Sequence, residues 1–257
     1  MSERIDGRKN DELRPIKIKL GVVKSADGSC YLEWGRNTVI ATVHGPRPIF
    51  PKHLADSERS VIDYKYRMAP FSVTERKSPV PAKRDKEISL VSGNALESVI
   101  LIEKFPNTVI DIDAMILSAD AGTRVAALTA ATLACADAGL PMRGLVSAVS
   151  AGRANGDHIL DLTKEEEDAE DAVDTAIAVL MPQKEIVLLQ MDGHVEKDEW
   201  KKIISMGIAG SEKIYELQKK ALLEKYPIDG DINEWNFKNC KFWKCNFKNE
   251  RRKKTWW

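Results

Sequence analysis

The stretch Asp120-Ala121-Gly122-Thr123-Arg124 constrains this chain more than any other. It follows an alternating, strand-like run, Val109 to Leu117 (VIDIDAMIL), and precedes an alanine-rich run, Val125 to Ala138, that reads as a helix. Gly139 and Pro141 close that helix. The loop therefore sits at a helix N-terminus, where free backbone N–H groups and the positive end of the macrodipole face outward. Gly122 lets a ligand approach the backbone, Thr123 offers a hydroxyl and Arg124 a forked cation. The set suits a phosphate. Taken alone it also suits a capped, buried helix with a surface arginine.

Residues 160 to 182 (LDLTKEEEDAEDAVDTAIAVLMP) run from an apolar strand end through acid into a second apolar strand. A solvated acidic loop would explain the charges. The acids, however, lead straight into Ala176-Ile177-Ala178-Val179-Leu180, which reads as a buried strand. A carboxylate at the mouth of such a strand is placed to bind a metal or move a proton. Asp168 and Asp174 are the candidates.

The chain has 257 residues with 39 basic and 39 acidic side chains, room for one large domain or two small ones. No apolar run is long enough to span a bilayer, and the polar N-terminus (MSERIDGRKNDELRP) argues against a signal peptide. Cys30 and Cys135 read as buried thiols; Cys240 and Cys245 do not complete a zinc set. The setting these features suggest is a reducing cytoplasm. Zero net charge leaves nucleic-acid binding open, since a local basic patch suffices.

Pro15 to Leu20, Cys30 to Trp34 and Thr38 to Val43 read as antiparallel strands, with turns at Asp27-Gly28 and Gly35-Arg36-Asn37. Ser60 to Ala69 reads as a strand, Ile88 to Glu103 as a helix, Val146 to Arg153 as a strand with Gly156 to Leu162 beside it. Thr175 to Leu180 and Glu185 to Gln190 are further strands, and Glu196 to Lys220 a last helix, weakened by Gly207 and Gly210. The pattern predicts an α+β fold, with a mixed sheet and helices on one face. The long loop Phe71 to Lys86 carries Arg76, Lys77, Lys83 and Arg84 and follows Arg67; with a phosphate site and an aspartate pair it suggests a polyanion. After about Asp229 the chain turns to Asn, Lys, Phe and Trp without a period. That composition reads as a disordered tail, or as aromatics and bases that stack on single-stranded nucleic acid.

The residues taken together resemble the RNase PH family, and within it the catalytic RNase PH-like subunits of archaeal exosomes. The resemblance is carried by RIDGRKNDELRPIKI (4–18), ADGSCYLEWG (26–35), YRMAPFSVTERK (66–77), SADAGTR (118–124), ADAGLPMRGLV (136–146), LDL (160–162) with the acidic loop to 174, and LLQMDG (188–193). It implies the RNase PH fold, with mixed sheets and helices packed on them, as a single catalytic domain over residues 1–228, followed by the basic, aromatic tail 229–257. It implies a hexameric ring in which this subunit alternates with a related inactive one, beneath RNA-binding cap subunits. The implied activity is processive 3′→5′ phosphorolysis of RNA from its 3′ ends. Inorganic phosphate is the co-substrate, Mg2+ the cofactor and nucleoside 5′-diphosphates the product. On the family's pattern, Gly122, Thr123 and Arg124 bind phosphate. Asp168 and Asp174 are the catalytic pair, as metal ligands or with Asp174 as general acid. Lys83 and Arg84 hold the terminal phosphodiester, and Arg67 and Arg76 contact RNA.

The chain departs from the pattern in three places. Lys83-Arg84 stands where Arg-Arg is usual, which keeps the charge but loses one fork. Gly93-Asn94 replaces an Arg-Glu. The acidic loop is one residue longer between Asp161 and Asp168, which makes Asp171 the rival for the first aspartate. The competing functions are a homohexameric tRNA 3′-end-trimming enzyme, a non-catalytic RNA-channel subunit and a two-metal hydrolase. The last gives the loop at 120–124 no task.

Overall fold

The computed structural model describes Arg4 and residues 6–227. The tail expected at 229–257 lies outside the described residues. Among the described residues nine strands form two sheets, and of the four α-helices one is buried between them.

The first sheet contains β1 (Ile16–Leu20), β2 (Gly28–Trp34), β3 (Asn37–Pro48), β4 (Val61–Met68) and β5 (Thr108–Ser118), in the order β1-β2-β3-β5-β4. All its neighbours run antiparallel except β4 and β5, which are parallel and joined through α1 (Lys83–Glu97). The alternation read in VIDIDAMIL is real: Ile110, Ile112, Ala114 and Ile116 are buried while Met115 is exposed. The second sheet, β7-β6-β8-β9, is wholly antiparallel: β6 (Leu145–Ala154), β7 (Asp157–Leu160), β8 (Val173–Met181) and β9 (Glu185–Asp192).

Helix α2 (Thr123–Asp137) packs against β2, β3 and β5 of one sheet and β6 and β8 of the other. Its alanines explain the arrangement, because a helix covered on both faces must be thin. Gly28 shows how close the approach is: a Cβ there would lie 2.3 Å from the Ala134 carbonyl oxygen. The helix ends as its sequence suggests. Gly139 at φ +74° follows the cap, with Leu140 N–H to Cys135 O and Gly139 N–H to Ala136 O.

Several expectations are corrected. The helices do not share one face of one sheet: α2 lies between the sheets, while α1 and α4 (Lys197–Lys225) cover other surfaces. Helix α1 begins at Lys83, not Ile88, because Asp85 reaches back to the Ala82 N–H (2.8 Å) directly after Pro81. It ends at Glu97. Asp27-Gly28 is not a tight hairpin, since residues 21–27 separate β1 from β2. Gly207 and Gly210 do not weaken α4. They let it pack, since a Cβ would meet Ile177 Cδ1 at 2.4 Å and Leu160 Cδ1 at 2.8 Å. Among the described residues no helix is long and apolar enough to cross a membrane.

Candidate active site

The loop between β5 and α2 turns through two left-handed residues, Ala121 (φ +48°) and Gly122 (φ +63°). Gly122 is demanded by that backbone conformation. The Cβ it lacks would have pointed inward, 3.3 Å from an Arg14 nitrogen and 3.5 Å from Ser150 Oγ, not towards a ligand. The turn sends the carbonyls of Asp120 and Ala121 into the protein. Arg14 Nη1 donates to Asp120 O (2.5 Å), and Asn37 Nδ2 donates to Ala121 O (2.6 Å). Asn37 Oδ1 in turn accepts the Asp120 N–H (2.7 Å). With its carbonyls held inside, the loop leaves the first N–H groups of α2 to face outward, as an anion requires.

Arg14 is held by Asp161, which is fully buried. The carboxylate accepts from Arg14 Nη2 (2.7 Å), Nε (3.1 Å) and backbone N (2.7 Å), and from Trp34 Nε1 (2.8 Å). Thus the N-terminal segment, the first hairpin and the start of the acidic segment meet beneath the loop.

Two side chains of the loop face other elements. Thr123 Oγ1 lies 2.8 Å from the hydroxyl of Tyr66 on β4. Arg124 Nη1 donates to Gln190 Oε1 on β9 (2.5 Å), and Gln190 Nε2 to Glu87 on α1 (3.1 Å). Arg124 Nε is buried without a partner.

Asp174 is the second residue of β8, at the mouth of the strand as expected; it is flanked in register by Gly152 and Asp192. Its Oδ1 is buried and has no hydrogen-bond partner. Burial pushes its carboxyl above the ordinary range. The charges of Arg124 and Arg84 oppose that rise, and Asp192 adds to it. Gly152 allows the packing here, since a Cβ would lie 1.7 Å from Val173 O.

Of the acidic loop, the carboxyl that the charge of Asp174 acts on is Glu167, not the expected Asp168. Burial and then that charge raise the Glu167 carboxyl, while Lys164 and Arg84 oppose the rise. Asp168 points outward, 62% exposed, and pairs with Lys164 at 2.5 Å. The cause is local. Residues Lys164–Glu167 form a short helix, α3, with Glu166 accepting the Thr163 N–H (2.8 Å). Successive residues on a helical turn point about 100° apart. The rival Asp171 is taken up elsewhere: it accepts the N–H groups of Asn155 and Gly156 and braces the β6–β7 turn. Of the carboxylates, Asp174 and Glu167 fit a divalent cation best, because Asp174 offers a buried oxygen without a partner among the described residues and its charge raises the Glu167 carboxyl. Asp168, ion-paired in solvent, does not fit as a ligand here.

The basic residues divide. Arg84, in the first turn of α1, is near enough for its charge to act on both Asp174 and Glu167. Lys83 and Arg76 are exposed. Arg67 is exposed on β4, but it follows Tyr66 and so projects from the opposite face of the strand. It does not converge on the loop. Sequence reasoning missed Tyr66, Gln190, Glu167, Asn37, Arg14 and Asp161 as parts of the site. Gln190 and Asp161 stand inside LLQMDG and LDL, yet nothing in those strings says what they touch.

Comparison with known proteins bears on the family and the fold. The 3′ exoribonuclease family (RNase PH), domain 1, matches residues 12–141, and domain 2 of the same family matches residues 144–210. The exosome complex component Rrp41 of Thermococcus kodakarensis is 52% identical over 224 residues, 87% of this chain and 90% of its own length. The same component of Archaeoglobus fulgidus is 51% identical over 226 residues, 87% of each chain. Among solved structures, rice (Oryza sativa) Rrp46 superposes with a TM-score of 0.77 at 24% identity, covering 85% of this chain and 99% of its own. A chain of the Archaeoglobus fulgidus exosome with RNA bound to the active site gives 0.73 at 22% identity, covering 84% and 92%. The two structures share the fold.

Proposed function

We propose that this chain, which belongs to the RNase PH family of 3′ exoribonucleases, is the catalytic subunit of an exosome ring that shortens RNA by phosphorolysis. The likeness to Rrp41 exosome components over most of both chains supports the assignment to that assembly. The observation that carries the chemistry is two unspent polar atoms among the described residues, Arg124 Nε in the first turn of α2 and Asp174 Oδ1 on β8, with the Arg124 charge acting on the Asp174 carboxyl.

In this reading inorganic phosphate sits on Gly122, Thr123 and Arg124. One of its oxygens attacks the phosphorus of the last nucleotide. The bond from that phosphorus to the 3′-oxygen of the preceding nucleotide breaks, and a nucleoside 5′-diphosphate leaves. Phosphate needs no base to become a nucleophile, so the work is positioning and charge neutralisation. Arg84 and Lys83 offset the repulsion between two anions. Asp174, whose carboxyl is raised by burial, gives the leaving 3′-oxygen its proton. In the alternative role Asp174 is ionised and, with Glu167, would hold Mg2+, which would supply charge neutralisation at that oxygen in place of the proton. Glu167 takes the place expected of Asp168, and Arg67 and Arg76 meet the RNA backbone away from the scissile bond.

The partners in this reading are single-stranded RNA 3′ ends, a related inactive subunit alternating with this one in a hexamer, and RNA-binding caps, in the cytoplasm. The edge strand β9 supports a neighbouring subunit: Ile186, Leu189 and Met191 are exposed along it. The deciding experiment incubates the chain, assembled with its partner, with a short RNA with and without phosphate. Phosphate-dependent release of nucleoside diphosphates is expected. Monophosphates released without phosphate would replace phosphorolysis by hydrolysis.

A further inference from the structure

We propose that the buried phenol of Tyr66 is a positioning residue for the phosphate, acting through the hydroxyl of Thr123. The inference rests on the phosphorolytic reading above. Tyr66 is 2% exposed, and its ring lies on the face of β4 that meets the start of α2. Its backbone is fixed as well: the Tyr66 N–H donates to Ser89 Oγ (2.9 Å), and that hydroxyl donates to Asp85 O (2.6 Å). The charges of Asp85, Arg84 and Arg124 all reach the phenol, Asp85 raising it and the two arginines opposing that.

Among the described residues, Thr123 Oγ1 at 2.8 Å is the hydrogen-bond partner of this phenol. Burial pushes the phenol up to about 12, so it keeps its proton at neutral pH. The direction of the bond follows. Were Thr123 the donor, the phenol's proton would be left buried with no acceptor, a costly arrangement. With Tyr66 donating, the buried phenol is served, and Thr123, half-buried, keeps its own proton free. A threonine hydroxyl has one proton and two lone pairs. One lone pair is taken from the protein side, so the proton is left for the loop's outer side, where a phosphate oxygen would accept it.

The second consequence is order. A threonine in the first turn of a helix can otherwise swing its hydroxyl to nearby backbone groups. The tyrosine holds it in one orientation before phosphate arrives, which reduces the cost of binding. The relay acts on phosphate and not on RNA, whose terminal phosphodiester meets Arg84 and Lys83.

The test uses the chain assembled with its partner subunit, a labelled short RNA and a phosphate titration. Tyr66→Phe keeps the ring and removes the O–H. The half-saturating phosphate concentration is expected to rise about 3- to 10-fold, with RNA half-saturation and melting temperature near wild type. In a Thr123→Val background the same change is expected to add nothing, because the relay has already lost its second member. Thr123→Ser is expected to keep the wild-type requirement. Superimposable phosphate curves for Tyr66→Phe and wild type overturn the proposal. An equal rise in both backgrounds overturns it too, since the tyrosine would then act on the fold. If Tyr66→Phe does not fold, Thr123→Val alone decides: the relay predicts a raised phosphate requirement, and an unchanged one overturns it. Failure of the premise looks different. RNA shortening by the wild-type assembly that needs no phosphate removes the phosphorolytic reading, and the relay with it.

Discussion

Asp161 and Asp174 bracket the same acidic segment, and both put carboxylate oxygens where water does not reach, yet they live in opposite circumstances. Asp161 is surrounded by donors: three from Arg14, one from Trp34 and a longer one from Arg8 at 3.4 Å. Asp174 has an oxygen with no partner among the described residues, and its carboxyl is raised by burial. A buried charge is tolerated when it is fully paired, and Asp161 meets that condition. Asp174 does not, and the chain carries the cost. The difference separates a carboxylate that shapes the phosphate loop from one that acts on what the loop binds. A polar atom left unpaired in an otherwise satisfied neighbourhood is a better marker of chemistry than residue type or depth.

Exchange of each aspartate for asparagine should pull the two apart. Asp161→Asn leaves the guanidinium of Arg14 buried beside a neutral amide. A loss of roughly 3–5 kcal/mol is expected, a large share of a domain's whole stability. Urea unfolding measures it; a variant within about 1 kcal/mol of wild type would show that the hub does not need its charge. Asp174→Asn should do the reverse, cutting turnover on the order of 10²- to 10³-fold while leaving RNA binding nearly intact. Its effect on stability has a defined sign. A carboxyl raised in the folded state contributes stability below its unfolded value and loses it as pH rises through the folded one. The variant escapes that loss, so it should melt above wild type at neutral pH. The gain should shrink as pH falls towards the ordinary carboxylate value of 3.8. A variant with half of wild-type turnover, or one that melts lower at neutral pH, would place Asp174 in the same class as Asp161.

The contrast also explains what could be read before the fold was known. The loop at 120–124 and the helix after it were visible because alternation and an alanine run are local signals. Asp174 stood out for the same reason, as a charge leading into an apolar strand. What was hidden depended on contacts between distant segments. Asp161 and Arg14 are 147 residues apart, and Tyr66 and Thr123 are 57 apart. The choice between Glu167 and Asp168 was hidden for another reason. It turns on the phase of a four-residue helix set by the Glu166–Thr163 contact, and a run of acids carries no phase. The start of α1 was misplaced because its first turn is polar and is defined by a cap instead of an apolar stripe.

Smaller effects test the outward-facing side. Arg124→Ala removes a charge-assisted contact worth roughly 1.5–3 kcal/mol, so the half-saturating phosphate concentration should rise about 10- to 100-fold. RNA affinity should change far less. If phosphate titrations of mutant and wild type superimpose, the loop only caps α2. Lys83 is exposed at the first turn of α1. Lys83→Ala should weaken RNA binding modestly and lower its salt slope by about one. Lys83→Arg should hold or improve affinity, since a fork grips a phosphodiester better than a point charge. An alanine variant with unchanged affinity and slope would remove Lys83 from the RNA path.

The smallest effect is expected where the described chain ends, and it restates the contrast at the other end of α2. Asp137 is buried there and, like Asp161, fully paired: Ser29 N–H (3.0 Å), Lys225 Nζ (2.5 Å) and the Tyr226 hydroxyl (2.9 Å) all donate to it. Two of these partners are the last residues of α4 and the one after it. A cut after Lys220 removes both and leaves a buried carboxylate without its cation and its phenol donor, so it should lower the melting temperature by several degrees. A cut after Asp229 keeps both, and melting temperature, assembly and decay of a short RNA should match the full chain. The removed segment, Gly230 to Trp257, holds eight Lys or Arg against three acids and four of the six tryptophans. The one loss expected is therefore weaker capture of long RNA at low salt, where such contacts are strongest. The phosphate requirement should be untouched, because the cut leaves Gly122, Thr123 and Arg124 in place. A chain cut after Asp229 that fails to assemble, or that melts as low as the shorter one, would show that the structural half of the comparison extends past Tyr226.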